Sequence, residues 1–252
     1  MTASAPPSQR PGADGPVGIL CALPEEQALL VEALGAPPPL PGVGLEARRG
    51  QLDGREVVVA AAGVGKVNAA GTATLLLERL ACRALVLSGV AGGLSDELAI
   101  GDLVIADRVI DIDYGRITDA GRRVYQPGTL PLPEVTPHPG YRLPPETASR
   151  IGQLLEAAGL TATLGTIVTG DAFLASARVR DELAHDWGAL AIEMEGSAVC
   201  GVAERFGVPW LVVRALSDRA GDDSLSDFRA FVVAAAADSA RLVRALLPVF
   251  DQ

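Results

Sequence analysis

Short apolar runs of strand character alternate with longer helical patterns along nearly the whole of this 252-residue chain, and that alternation constrains the fold most. Val17–Ala22 (VGILCA) reads as a buried strand, after which Pro24 opens a helix through Leu34. Following a Pro/Gly-rich loop, LEARRGQLDGREVVVAAAG reads as a hairpin turning tightly at Asp53-Gly54. A glycine turn then enters the Ala/Leu helix of GVGKVNAAGTATLLLERL. Ala84–Gly89 (ALVLSG), a glycine loop and GDLVIADRVI supply two more strands. Residues Asp111 to Pro145 are irregular, as expected of a functional or interface loop. Order resumes with a helix over Thr147–Ala158, the strand ATLGTIVTG, a polar helix around Ala177–His185 and GALAIEME. A helix to Phe206, the strand PWLVVRALSD and an Ala/Leu helix to Leu247 complete the series. The pattern predicts one α/β domain over residues 16–252, with a central, mostly parallel mixed sheet flanked by helices.

Residues 1–15 are rich in Pro, Gly and Ser and contain no apolar h-region, so a disordered leader is expected there and not a signal peptide. No charge-free apolar run approaches the ~20 residues of a membrane span. The formal net charge is −10 and no Lys/Arg run occurs, which argues against a nucleic-acid or anionic-membrane partner and for a small-molecule ligand. Cys21, Cys82 and Cys200 are far apart and flanked by apolar residues, and His138 and His185 stand alone. Neither a disulfide framework nor a metal site is expected; buried thiols in a cytoplasmic protein are.

Two glycine-rich segments invite a ligand. GVGKVN lacks the spacing of a phosphate-binding loop, since Ala60 and Val67 stand where glycine and Ser/Thr are required. Asn68 stands where a dinucleotide fingerprint needs its third glycine, so a tight turn packing a helix on the sheet is the better reading. Lys66, the chain's single lysine, carries no catalytic signal of its own. SGVAGGL (Ser88–Leu94) follows an apolar strand, and Gly92-Gly93 permit close backbone approach where α/β sheets bind ligands. A site and a plain turn remain equal alternatives on that segment alone.

Four segments in order carry a resemblance: GILCALPEE; GVGKVNAA with LVLSGVAGGL and GDLVIAD; VTGDAF; and AIEMEGSAV with VPWLVVRALSD. Together they resemble the purine nucleoside phosphorylase/uridine phosphorylase superfamily, and within it the methylthioadenosine/S-adenosylhomocysteine nucleosidases. The match runs from Val17 to the end, apart from much of the 111–145 loop. It implies a nucleoside phosphorylase-like fold, hydrolysis of a purine–ribose bond without a cofactor, and a homodimer. Such cleavage passes through an oxocarbenium-like sugar, which calls for an acid on the departing purine, groups that hold the ribose, and a base for water.

Alternation along the last strand puts Val212, Arg214, Leu216 and Asp218 on one face. By the resemblance, Asp218 protonates purine N7 with Ser217 placing it, and burial would let it keep its proton. Glu195 matches the glutamate that holds the 2′- and 3′-hydroxyls, with Met194 against the sugar. Glu193, two residues away, is either a second carboxylate on the same side or a solvated or paired one. Glu26 matches the general base, although a glutamate in a first helical turn is also favoured by the dipole alone. Phe173 and Leu174 match the purine pocket, and Phe228 the cover of the 5′ end. In the segment Val90, Ala91 and Gly92, the family commonly has Ser or Thr where Val90 stands. Arg214 and Glu26 then hold the water alone, or the nucleophile site is built differently. Tyr114 and Tyr125 are candidates for an aromatic that closes a partner subunit's 5′ end. A phosphorylase, a futalosine hydrolase and a non-catalytic nucleoside-binding protein are the rival readings.

Overall fold

The computed structural model describes residues 14–42, 44–135 and 139–251. Residues 1–13, most of the expected leader, and His138 lie outside the described residues. The elements follow in order as β1 (Val17–Cys21), α1 (Pro24–Ala33), β2 (Ala47–Leu52), β3 (Arg55–Ala61), α2 (Lys66–Leu80), β4 (Ala84–Gly93) and β5 (Leu103–Asp111). Then come β6 (Gly115–Thr118), β7 (Gly121–Val124), β8 (Tyr141–Arg142), α3 (Pro145–Ala158), β9 (Thr163–Thr169), α4 (Ala177–Trp187) and β10 (Ala189–Glu193). The chain closes with α5 (Gly196–Phe206), β11 (Trp210–Asp218), α6 (Ser224–Leu246) and a 3-10 turn, Leu247–Phe250.

The main sheet runs β10-β9-β5-β11-β4-β1-β3-β2, and β8 pairs with β5. Most pairings of the long strands are parallel: β1 with β3 and β4, β4 with β11, β9 with β5 and β10. Antiparallel pairs join β5 to β11 and β2 to β3. The far end of β10 also pairs antiparallel with the end of β4, through Ile192 opposite Gly92. Five strands, β4, β11, β5, β9 and β10, therefore close into a ring whose carboxyl-side rim gathers residues distant in sequence. Val, Leu, Ile and Ala dominate the buried core, and Arg214 is the largest of its fully buried side chains among the described residues. None of the described helices is long and apolar enough to cross a membrane.

Three expectations are corrected. The glycine loop after Ala84–Gly89 is strand: β4 continues through Gly93, because Gly89 to Gly92 pair along β11 and Gly92-Gly93 also pair with β10. The 111–145 segment is not wholly irregular. Gly115–Val124 forms a β6–β7 hairpin, and Tyr141–Arg142 adds a short strand to β5. Finally, β11 does not alternate cleanly to its end. Its register against β4 shifts between Leu216 and Asp218, so Ser217 sits in a bulge, the device that re-aims a side chain at a strand's end.

Candidate active site

A cleft of about 650 Å3, including its open mouth, lies at the rim of this ring. Its floor comes from three strand ends: Val90, Ala91 and Gly92 of β4, Ile192 and Glu193 of β10, and Ser217 and Asp218 of β11. Met194 and Glu195 follow β10 into it, and Glu26 enters from α1. Phe173, Leu174 and Phe228 form an apolar wall, with the two phenylalanine rings edge to face at 5.9 Å and 81°. The structure thus brings together eleven of the twelve residues singled out for the site. Arg214 is the exception. It is not part of the lining, because the bulge at Ser217 separates it from Asp218, and its side chain is fully buried beneath the cleft.

Glu26 is both a helix cap and a cleft group. Its Oε2 accepts the N–H groups of Ala22 (2.8 Å) and Leu23 (2.9 Å), which would otherwise go unpaired at the start of α1. Its Oε1 accepts the N–H of Val90 at 2.9 Å. Val90 therefore contributes its backbone to the carboxylate, and its side chain to the cleft wall. Glu25, next to it in the first turn of α1, is exposed. Burial raises the Glu26 pKa, and the charge of Arg214 and three backbone donors only partly oppose it.

Asp218 is 3% exposed. Its Oδ1 accepts the N–H of Ala220 at 2.8 Å, and its Oδ2 accepts the Ser217 hydroxyl at 2.9 Å. Burial again raises the pKa, against both hydrogen bonds, so the carboxyl holds its proton to higher pH than a free aspartate. Gly92 makes this placement possible: a Cβ there would lie 3.0 Å from Asp218 Oδ1 and 3.2 Å from Ala220 Cβ. What approaches this glycine is the Asp218 carboxyl group.

Glu193 and Glu195 flank Arg214. The guanidinium donates to Glu193 Oε2 and, at 2.9 Å, to Glu195 Oε2. Glu193 lines the cleft and is also paired: it accepts the Thr169 hydroxyl and the N–H groups of Glu195 and Gly196 at the start of α5. Glu195 Oε1 accepts the N–H of Gly65 at 2.8 Å. Burial first, and Glu193 after it, push the Glu195 pKa up, with Arg214 pulling the other way. Arg214 Nε and Nη1 donate to no described residue.

Gly89 lies under both Glu26 and Arg214. A Cβ at this position would collide with Glu26 Oε1 and Arg214 Nη1 together, so the ends of both side chains would have to shift. Gly89→Ala is expected to lower turnover about 100-fold by displacing both groups, as measured by steady-state kinetics on a folded variant.

Several supporting residues carried no readable signal. Thr169, Ser197 and Lys66 act through partners far away in the chain, and nothing in their local spacing marks them. One expectation fails: the Tyr125 side chain is fully buried within its own chain and cannot reach a partner's site. Tyr114 is also engaged internally, donating its hydroxyl to the Thr129 carbonyl at 2.6 Å.

The sequence model of the phosphorylase superfamily matches residues 16–248. The 5′-methylthioadenosine/S-adenosylhomocysteine nucleosidase of Mycobacterium bovis is 46% identical over 257 residues, covering 92% of this chain and 97% of that one. The same-named protein of Shewanella sediminis is 39% identical, covering 92% and 98%. Among solved structures, the Streptococcus pyogenes S-adenosylhomocysteine nucleosidase in complex with 5-methylthiotubericidin superposes with a TM-score of 0.82 at 30% identity, covering 93% and 96%. A futalosine hydrolase of Helicobacter pylori superposes with a TM-score of 0.81 at 27% identity, covering 93% and 97%. With a superfamily model spanning the folded chain and nearly full-length relatives of one name, the chain belongs to the phosphorylase superfamily and, within it, to the 5′-methylthioadenosine/S-adenosylhomocysteine nucleosidases.

Proposed function

We propose that this protein hydrolyses the N-glycosidic bond of 5′-methylthioadenosine and S-adenosylhomocysteine, releasing adenine and the corresponding thioribose. The observation that carries the reading is a single cleft lined by Glu26, Glu195 and Asp218 together, closed on one side by Phe173 and Phe228. In this reading Asp218, assisted by Ser217, donates its proton to the purine as the bond to ribose breaks. Glu195 accepts the ribose hydroxyls, while its charge faces the developing cation. Met194 and Leu174 pack against sugar and base, and Ala91 and Gly92 let the base approach the β4 backbone. Glu26 takes the proton of the attacking water. Arg214 works from below, holding Glu195 and Glu193 and placing positive charge beside Glu26.

Water is favoured over phosphate by the charge of the cleft. Among the described residues, its lining offers four carboxyl groups, Glu26, Glu193, Glu195 and Asp218, and no Lys, Arg or His. An incoming phosphate would meet like charge without a fork of donors to hold it. The same lining argues against futalosine, whose carboxylate tail would meet the phenylalanine wall with no cation among the lining residues. Methylthioadenosine, S-adenosylhomocysteine and futalosine, each assayed with and without phosphate, test the reading. Adenine release from the first two without phosphate is expected; strict phosphate dependence with ribose-1-phosphate as product refutes it. Purine binding without turnover would instead support the non-catalytic reading.

Two further outcomes follow from the assigned roles. Glu26→Gln is expected to lower kcat about 100-fold while nucleoside binding, measured by calorimetry, stays within a few-fold. The plot of kcat/KM against pH should fall on both sides. Activity is lost on the acid side as Glu26 takes a proton, and on the alkaline side as Asp218 loses one. Because burial raises both groups, both limbs should lie above the ordinary carboxylate range.

The protein is further proposed to act in the cytoplasm, as a homodimer, in methionine salvage. The exposed apolar side chains Leu130 and Leu132, on the segment between β7 and β8, support a subunit contact there. Light scattering coupled to size exclusion should give twice the chain mass.

A further inference from the structure

Lys66 begins α2 immediately after the turn that holds Glu195, and its ammonium group does not face solvent freely. It donates to Asp111 Oδ1 at 3.0 Å and to Asp113 Oδ2 at 2.8 Å, and lies 3.7 Å from Asp171 Oδ2. These three carboxylates belong to two other segments, the end of β5 and the stretch after β9. Arg122, exposed and 3.5 Å from Asp113, is a second cation at this cluster.

The hydrogen bonds around the ammonium are directed. The Lys66 N–H donates to Asp171 Oδ1 at 3.0 Å, and the Asp171 N–H donates to Asp113 Oδ2 at 2.8 Å. Asp111, itself buried, accepts the Ser197 hydroxyl at 3.1 Å and the N–H groups of Asp113 and Tyr114. Two walls of the cleft thereby meet at one cation. The first carries Val64, which lines the cleft, and Gly65, whose N–H is on Glu195. The second follows Asp171 directly with Ala172, Phe173 and Leu174, all in the lining. Phe173 and Val64 are about half exposed at the mouth, at 47% and 45%, so apolar burial does little to hold either segment.

We propose that Lys66 is a positioning residue for nucleoside binding. Its ammonium clamps the Val64–Gly65 turn to the Asp171–Leu174 segment, keeping Gly65 N–H on Glu195 and Phe173 over the base. This role rests on the nucleosidase reading for its substrate, but not for its geometry. A group that sets the cleft walls before the reaction acts on ground-state and transition-state binding alike. Its loss therefore raises KM and spares kcat. Arginine keeps the charge and can reach the same carboxylates, although its planar fork replaces three rotatable donors.

The test compares Lys66→Met, Lys66→Arg and Asp171→Asn in the full chain, with methylthioadenosine kinetics and calorimetric binding of the non-hydrolysable analogue 5-methylthiotubericidin. Expected are a KM raised about 10-fold or more in Lys66→Met with kcat changed less than about 3-fold, and recovery of most of the loss in Lys66→Arg. Asp171→Asn leaves the buried carboxylate untouched and should raise KM by about 3-fold. It decides the matter if Lys66→Met does not fold. An unchanged KM in Lys66→Met or, failing that variant, in Asp171→Asn overturns the proposal, as does a fall in kcat at constant KM. Should the parent protein bind the analogue yet hydrolyse nothing, the nucleosidase reading fails alone. Weakened analogue binding in the variants would then still support the clamp, and unchanged binding would overturn it.

Discussion

Asp218→Asn is expected to lower kcat by about 100- to 10,000-fold, the span usually associated with a general acid, while nucleoside affinity changes only a few-fold. Asparagine matches aspartate in shape; its single carbonyl oxygen can keep the Ala220 N–H, while its amide nitrogen can only donate to the Ser217 hydroxyl. What it lacks is a proton to give. The departing purine then leaves as an anion from a cleft already lined with carboxyl groups, and the barrier rises by the cost of that charge. Folding should not suffer, because a neutral amide avoids the desolvation that raises the Asp218 pKa in the parent. Single-turnover adenine release, read beside calorimetric binding, separates the two effects. Full activity in the variant would remove Asp218 from the mechanism. A parallel loss of binding and turnover would recast it as a ligand for the base.

Arg214→Met should produce the largest change in stability. The guanidinium is wholly buried, and it neutralises Glu193 and Glu195, which are 4% exposed each. Removing it leaves two carboxylates in a low-dielectric core without a counter-charge, which costs about 3–5 kcal/mol at neutral pH. The pH dependence has a definite sign. Burial and the mutual repulsion of the pair already raise the folded-state pKa of Glu195, to about 7. Without Arg214 it rises further. The folded variant then binds more protons than its unfolded chain from about pH 4 upward, so its stability falls as pH rises through that window. The deficit relative to the parent should be small near pH 4 and grow towards pH 8. Urea denaturation at a series of pH values measures it, and a deficit that does not vary with pH would contradict the paired-carboxylate account. Arg214→Lys keeps the charge but loses the fork, and should fall between the two.

Both predictions concern residues of β11, where sequence reasoning was half right. Period-two alternation placed Arg214 and Asp218 on one face, and it placed both against the ligand. The bulge at Ser217 breaks that alternation: Asp218 reaches the cleft, and Arg214 stays beneath it. Strand periodicity cannot announce a bulge, because the extra residue is set by pairing with the neighbouring strand and not by its own side chain. The SGVAGGL segment errs in the opposite direction. Glycines there suggested a loop, yet neighbours on both sides hold Gly92 and Gly93 in strand.

The elements themselves were legible, because strands, helices and the Asp53-Gly54 turn are encoded by neighbours within a few residues. Asp53 and Gly54 do take positive φ, 50° and 79°, as a two-residue hairpin turn requires. That Glu26, Glu195 and Asp218 would come together was also legible, through motif resemblance, and all three line the cleft. Their support was not. Glu26 meets Val90 across 64 residues, Glu195 meets Gly65 across 130, and Ser197 meets Asp111 across 86. Such pairings depend on strand order and on the closure of β10 back onto β4, which no local pattern contains. The chain's own sequence determined which groups could do the chemistry, since side-chain type and local period are written residue by residue. Only the tertiary structure decided which carboxylates face the cleft, which are neutralised beneath it by Arg214, and which are gathered by Lys66. Burial and charge pairing are properties of the assembled ring and of no single segment.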